Sequence, residues 1–228
     1  MLNLKFKNKN IQISCDGGAA TGKSTGAKMI SKKYNLKFLS SGLLYRHASF
    51  LLSTNKPKNK INFIKSKFKS LNYKNLNKTR LHSPEISKLS AEIAKISAVR
   101  KILKKYQINF STKYKNCCIE GRDISTKILP KSDLKFFFKC SLNIAAKRRY
   151  KELKKINRKI KFQDVKKALR IRNISDVNRK NSPLLKHRDS IEIDTGKLNK
   201  QEMIDKMSIY VERLINNKKY GNRARIKK

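Results

Sequence analysis

The sequence predicts an α/β fold built on a mostly parallel five-stranded sheet, and three observations carry that reading. Five short apolar segments alternate with segments whose apolar residues recur three and four apart, the pattern of strands separated by helices. The first apolar segment runs straight into a glycine-rich turn that is followed by a helical pattern. The length, 228 residues, suits one domain with insertions rather than two independent ones. A parallel sheet covered on both faces gathers ligands at the carboxyl ends of its strands.

In chain order the strands are expected at 10–15 (NIQISC), 36–39 (LKFL), 116–120 (NCCIE), 133–139 (DLKFFFK) and 190–194 (SIEID). Helical spacing marks 23–34, 85–106, 141–155, 163–175 and 200–216. More chain separates the second and third strands than one crossover helix requires, so residues 46–110 are read as an insertion in a single domain spanning 1–228. Its part 53–80 is rich in lysine and asparagine and too weakly patterned to assign. The polar stretch KKINRKIKF interrupts two helices and suits either a mobile lid, placed at 151–164, or an ordinary solvated loop. The tail NKKYGNRARIKK is expected to fray.

Composition narrows the functional classes. No apolar run approaches the ~18 residues of a spanning helix, and the opening MLNLKFKNKN lacks a signal-peptide core, so a cytoplasmic protein is expected. Cys15, Cys117, Cys118 and Cys140 lie in or beside strand segments without a C-x-x-C pair, which favours buried thiols over zinc or disulfides. The net charge of +43, from 58 basic and 15 acidic residues, would attract polyanions non-specifically whatever the fold. The lysines are spread along the chain and not gathered with aromatics, which favours compositional bias over a dedicated nucleic-acid surface.

Chemistry is concentrated in four motifs. Gly17, Gly18, Ala19, Ala20, Thr21, Gly22, Lys23, Ser24 and Thr25 have the spacing of a phosphate-binding loop. Backbone N–H groups and Lys23 can hold nucleotide phosphates, while the Ser24 hydroxyl can bind Mg²⁺. SSGLLYR, residues 40–46, follows the second strand, with serines suited to cap a helix that carries Arg46. EGRDIST, residues 120–126, projects Arg122 and Asp123 from the end of the third strand. In RIRNISDVNRKNSP, residues 170–183, Arg172, Asp176 and Arg179 are spaced to share one helix face before Pro183.

In this order the motifs resemble those of the bacterial cytidylate kinases, members of the nucleoside monophosphate kinase group, over nearly the whole chain and including IEIDT near its end. The resemblance implies a three-layer P-loop kinase fold and transfer of a phosphoryl group from ATP with Mg²⁺ to CMP or dCMP by a monomer. It places Arg46 and Arg122 on the acceptor phosphate with Ser41 nearby, and Asp176 and Arg172 at the sugar. Asp123, Arg100 and Arg179 would read the cytosine, and Arg148 and Arg149 would close over the phosphoryl groups. The pattern departs from the family at Ser40 and Glu120, where aspartates are usual, and at His82 and Ser175, where arginines are. Ala91 stands where a base-contacting serine is common, with Ser90 one position away, and the insertion is shorter than usual.

The implied chemistry accounts for the arginines. An acceptor phosphate is already anionic and needs no strong base; the obstacle is repulsion between phosphates, which permanently charged, fork-shaped guanidinium groups offset. Two other readings fit parts of the sequence: a kinase of the same fold acting on UMP, and a basic nucleic-acid-binding P-loop protein, which leaves Asp123 and Asp176 unexplained.

Overall fold

Strand β1 (Gln12–Gly17) occupies the centre of the sheet and is buried on both faces. That explains why QISCDG does not alternate cleanly between apolar and polar residues. The computed structural model describes residues 10–76, 81, 83–155 and 157–225. His82 therefore lies outside the described residues.

The remaining strands are β2 (Lys37–Ser40), β3 (Cys117–Gly121), β4 (Leu134–Lys139) and β5 (Ile191–Asp194). All neighbours pair in parallel, in the spatial order β2-β3-β1-β4-β5. The strand segments expected from sequence hold to within two residues at each end. One face is covered by α1 (Lys23–Lys33) and α8 (Lys200–Arg225), which bury Ile30, Met207 and Val211 against Ile13, Phe136 and Phe138. Another core joins Leu39, Cys117 and Ile119 of the sheet to α2 (Ser41–Asn55), α3 (Lys60–Lys69) and α5 (Ser97–Lys113). Phe136 and Phe138 of β4 are fully buried and each stabilises the fold by roughly 1.5–3 kcal/mol.

Several expectations are corrected. The helix expected over 85–106 is two, α4 (Pro84–Ile93) and α5, with Ile96 in an extended conformation between them. The break lets Arg100 donate from Nη1 to the Ala94 carbonyl at 3.2 Å while Nη2 reaches Asp123 at 2.5 Å. The unassigned stretch 53–80 contains α3, capped by the Asn59 side chain and anchored by buried Ile64 and Phe68. Helices α6 (Leu142–Lys154) and α7 (Phe162–Asn178) pack as a hairpin, so the connection inside the expected 151–164 lid is seven residues long, 155–161. Helix α8 continues to Arg225, past the point where the tail was expected to fray. No helix among the described residues is long and apolar enough to cross a membrane. The four cysteines are free, and Cys15, Cys117 and Cys118 are buried as thiols in the sheet.

Candidate active site

The carboxyl end of β1 dictates the geometry of the phosphate loop. Gly17 (φ +154°) pairs with Phe138, and a Cβ there would lie 2.4 Å from the Phe138 carbonyl oxygen. Gly22 (φ +83°) is the left-handed residue that starts α1. Asp16, fully buried, accepts from the Ile124 and Ser125 amides at 2.8 and 2.7 Å and from the Ser125 hydroxyl at 2.6 Å. Burial raises its carboxyl pKa against these hydrogen bonds. Its role is to tie the turn after β3 to the phosphate loop.

Two clefts of about 510 Å³ each flank this loop. One, rich in arginine, is lined by Lys23, Ser24, Ser41, Arg46, Arg100, Arg122, Asp123, Arg149, Arg172, Asp176 and Arg179 together with Glu120 and Tyr45. Residues from four sequence motifs thus converge on one volume. On the other side, Thr21, Gly22, Lys23, Ser24 and Thr25 face Arg148, Thr195, Asn199 and Met203. Arg148 and Arg149 therefore part: Arg148 donates to the Thr195 hydroxyl and carbonyl at 2.8 and 2.7 Å, while Arg149 enters the arginine-rich cleft and pairs with Glu152 at 3.0 Å. The helical twist separates them, since it points adjacent residues about 100° apart.

Ion pairs preset the arginines. Arg122 donates from Nε to Asp176 at 2.7 Å and from Nη1 to the Gly17 carbonyl at 2.9 Å, fixing its plane against the phosphate loop. Arg46 donates to the Leu81 carbonyl at 2.9 Å. Arg179 lies beyond the end of α7, in extended backbone, so it does not share a helical face with Arg172 and Asp176 as expected. It turns back to reach Asp176 at 3.3 Å and Asp123 at 3.9 Å, and bonds the Ser182 carbonyl. Ser41 is buried in the first turn of α2, and Ser40 caps that helix while donating to Glu120. Ser90 and Ala91 both line the cleft, so the serine one position from its usual place still faces it.

Electrostatics mark the cleft as an anion site. Burial, then repulsion from Arg122, lowers Lys23 to about 8, opposed by Glu120 at 3.6 Å. Burial and neighbouring guanidinium groups lower Arg46 and Arg172 to about 10. Burial works to raise Glu120 and Asp176, but Lys23 holds the first and Arg122 the second below the usual carboxylate range. Eight cations line the cleft against four carboxylates. Among the described residues, Arg172 Nε, Arg179 Nη2 and Glu120 Oε2 are buried without hydrogen-bond partners. Glu120 Oε2 and Arg179 Nη2 have only the long ion-pair contacts to Lys23 and Asp123, so all three atoms keep hydrogen-bonding capacity that a bound ligand can use.

The donor set fits a nucleotide triphosphate and its metal. The Ala19 amide points at an oxygen already, Asn173 Oδ1 at 3.1 Å, and Lys23 Nζ donates to the Gly18 carbonyl at 3.3 Å and pairs with Glu120. Ser24 lies beside Glu120, whose Oε2 accepts no hydrogen bond and faces the Lys23 ammonium at 3.6 Å, a pair of oxygens suited to a cation that otherwise keeps waters and phosphate oxygens. Sequence reasoning gave no role to Asn173, Tyr45, Glu152 or Thr195. Thr195 had a signal in IEIDT, whereas an asparagine and a tyrosine inside helical patterns carry none.

Among solved structures the chain is similar to an uncharacterized protein from Eubacterium ventriosum ATCC 27560, at TM-score 0.53 and 16% identity over 89% of this chain and 98% of that one. It also resembles a shikimate kinase from Bacteroides thetaiotaomicron, at TM-score 0.50 and 9% identity over 89% and 98%. These likenesses establish the fold. In sequence, the chain is 36% identical to a cytidylate kinase of Clostridium botulinum (strain Loch Maree / Type A3) over 90% of its length and 99% of the relative's. A cytidylate kinase of Rickettsia africae (strain ESF-5) is 33% identical over 94% and 100%. The cytidylate kinase family model matches residues 13–213, which takes in the phosphate loop, both arginine-bearing strand ends and the segment through Pro183; the chain belongs to that family.

Proposed function

We propose that the protein transfers the terminal phosphoryl group of ATP to CMP and dCMP, forming CDP and dCDP in the pyrimidine nucleotide metabolism of the cytoplasm. The observation that carries the reading is the arginine-rich cleft itself. Lys23 and Ser24 of the phosphate loop, the arginines Arg46, Arg122 and Arg172, and the Asp123–Arg100 pair all line it.

ATP binds with its phosphates on the amides of residues 17–25 and on Lys23, and Ser24, with Glu120 beside it, would hold Mg²⁺. When bound, the metal neutralises charge on the transferring phosphates. Arg122, fixed by Asp176, and Arg46 orient the acceptor phosphate for in-line attack, with Ser41 as a hydroxyl donor. Arg172 and Asp176 meet the sugar, and Arg100, Asp123 and Arg179 meet the base. Cytosine presents an amino group where uracil presents a carbonyl, so the Asp123 carboxylate accepts from the first and repels the second. Arg148 steadies the donor side through Thr195, and Arg149 closes from α6. The α6–α7 connection serves as the lid that excludes water, which would otherwise accept the phosphoryl group. Residues 46–110 form the acceptor-binding insertion.

The test is a coupled assay of ADP release with ATP and Mg²⁺, offering CMP, dCMP, UMP and AMP in parallel. CMP-dependent turnover supports the reading. Turnover with UMP alone would move the substrate within the same fold, and acceptor-independent ADP release would replace a kinase with an ATPase.

A further inference from the structure

A second cavity, about 690 Å³, lies between α3 and α5 on the insertion, and none of the residues that line it lines the kinase cleft. Its rim carries Lys65 and Lys69 from α3 and Lys101, Lys105 and Lys113 from α5, all exposed. Among the described residues lining it there is no aspartate or glutamate. Lys65–Lys69 and Lys101–Lys105 are like charges four apart on a helix, an arrangement that weakens a helix unless an anion neutralises it.

The floor is aromatic. Tyr73, Phe110 and Tyr114 form a mutually packed triad with ring centroids 4.8 to 5.4 Å apart, and Tyr106 packs edge-on against Phe68 at 5.7 Å. The Tyr106 hydroxyl donates to the Leu71 carbonyl at 2.9 Å, which fixes the ring in the wall. Tyr73, Tyr106 and Tyr114 remain partly exposed, and Asn72 and Asn109 add exposed amides able to meet a base edge. The linear sequence spreads its lysines evenly, but the fold brings five of them around one aromatic floor.

We infer that this groove binds single-stranded nucleic acid, with bases stacked on the exposed tyrosine faces and the backbone held along the lysine rim. Aromatic faces accept any base, and lysines reading phosphates carry no sequence information, so binding is sequence-tolerant and salt-sensitive. An acidic polypeptide would use the lysines but leave the stacking surface idle.

The test uses the full chain and a fluorescently labelled 12-nucleotide oligouridylate, titrated by anisotropy at several salt concentrations. Lys69→Glu/Lys105→Glu is compared with Lys32→Glu/Lys167→Glu, exposed positions on α1 and α7 outside both cavities, so that net charge is matched. The groove variant is expected to bind at least tenfold more weakly than the control and to show a salt slope shallower by about 0.7 for each phosphate it no longer neutralises. Tyr73→Leu is expected to cost about tenfold for the oligonucleotide but little for polyphosphate of equal charge. Circular dichroism and a thermal unfolding transition matching those of the control show that Lys69→Glu/Lys105→Glu folds. Equal losses in the two double variants would reduce binding to diffuse charge and overturn the site. Displacement of the oligonucleotide by ATP with CMP would place it in the kinase cleft, and equal competition by polyglutamate would overturn the nucleic-acid assignment.

Discussion

Raising the pH above 8 should remove the phosphate-loop cation while leaving its neighbours charged. Lys23 is held at about 8 by burial and by Arg122, whereas Arg46 and Arg172 stay at about 10. A group with that pKa is about 90% charged at pH 7 and about 10% at pH 9. If the ammonium is what holds the donor phosphates, kcat/KM for ATP falls about tenfold per pH unit above 8, because that parameter reports ionisations of the free enzyme. With ATP saturating, bound phosphate raises the Lys23 pKa and the break in kcat moves to higher pH. Glu120→Gln removes a carboxylate that supports the charged form, so its break should fall below that of the wild type. Stability supplies an independent check. Between about 8 and the ordinary lysine value of 10.5, the unfolded chain holds a proton that the folded chain has lost, so this group stabilises the fold as pH rises. Tyr34, Tyr45 and Tyr106, pushed to about 12, oppose that only once unfolded tyrosine ionises near 10. Cys15, Cys117 and Cys140 oppose it over the same window, because burial pushes their thiols up while unfolded thiols ionise near 8.5. The Lys23 contribution is therefore read as a difference: from pH 8 to 9.5 activity should fall while the wild type gains urea stability relative to Lys23→Met. A flat kcat/KM profile over pH 7–9.5, or a stability difference from Lys23→Met that does not rise with pH, would refute the assignment.

Arg122→Ala, which empties a position fixed by Asp176 and the Gly17 carbonyl, should lower kcat with CMP by about 10²–10³-fold, read in the coupled assay beside unchanged thermal unfolding. Asp123→Asn exchanges an acceptor for a group that can also donate, and should erode the ratio of kcat/KM for CMP over UMP by about ten- to hundredfold. Asp16→Ala strands two buried amides and a hydroxyl; a loss of about 3 kcal/mol, or about 10 °C in Tm, is expected by calorimetry.

The sheet was legible because its strands are short apolar runs with long polar separators, and because the phosphate loop has a spacing tied to one backbone shape. The arginines were legible because their motifs sit at strand ends. What sequence could not supply is direction. Arg148 and Arg149 are neighbours in the chain, yet one reaches Thr195 and the other the acceptor cleft. Arg179 has helical spacing from Asp176 but contacts it from beyond the helix end. The division of 85–106 was hidden for a related reason. LSAEIAKISAVR has no glycine or proline, and the break is held by a long-range contact of Arg100 with Asp123 rather than by any local stop signal. Asn173 shows the same limit, since only the packing of α7 against the phosphate loop brings its amide to Ala19.

The chain's preference for lysine stops at this cleft, and burial explains why. Of the lysines, only Lys23 and exposed Lys28 line it among the described residues; its other six cations are arginines. Burial brings Arg46 and Arg172 from 12.5 to about 10, still charged throughout the physiological range. It brings Lys23 from 10.5 to about 8, the edge of that range, even with Glu120 beside it. A lysine at 46 or 172 would start two units lower than the arginine it replaced and meet the same desolvation and the same crowd of cations. Without a carboxylate as close as Glu120 is to Lys23, it would shed its proton near neutrality and stop attracting phosphate. A composition that favours lysine on exposed helix faces, where solvation keeps the ammonium charged, must therefore yield to arginine where several cations share one buried site. The partition between lysine on the surface and arginine in the cleft follows from the pKa difference between the two side chains, and it separates the cations that line the cleft from the background charge of the chain.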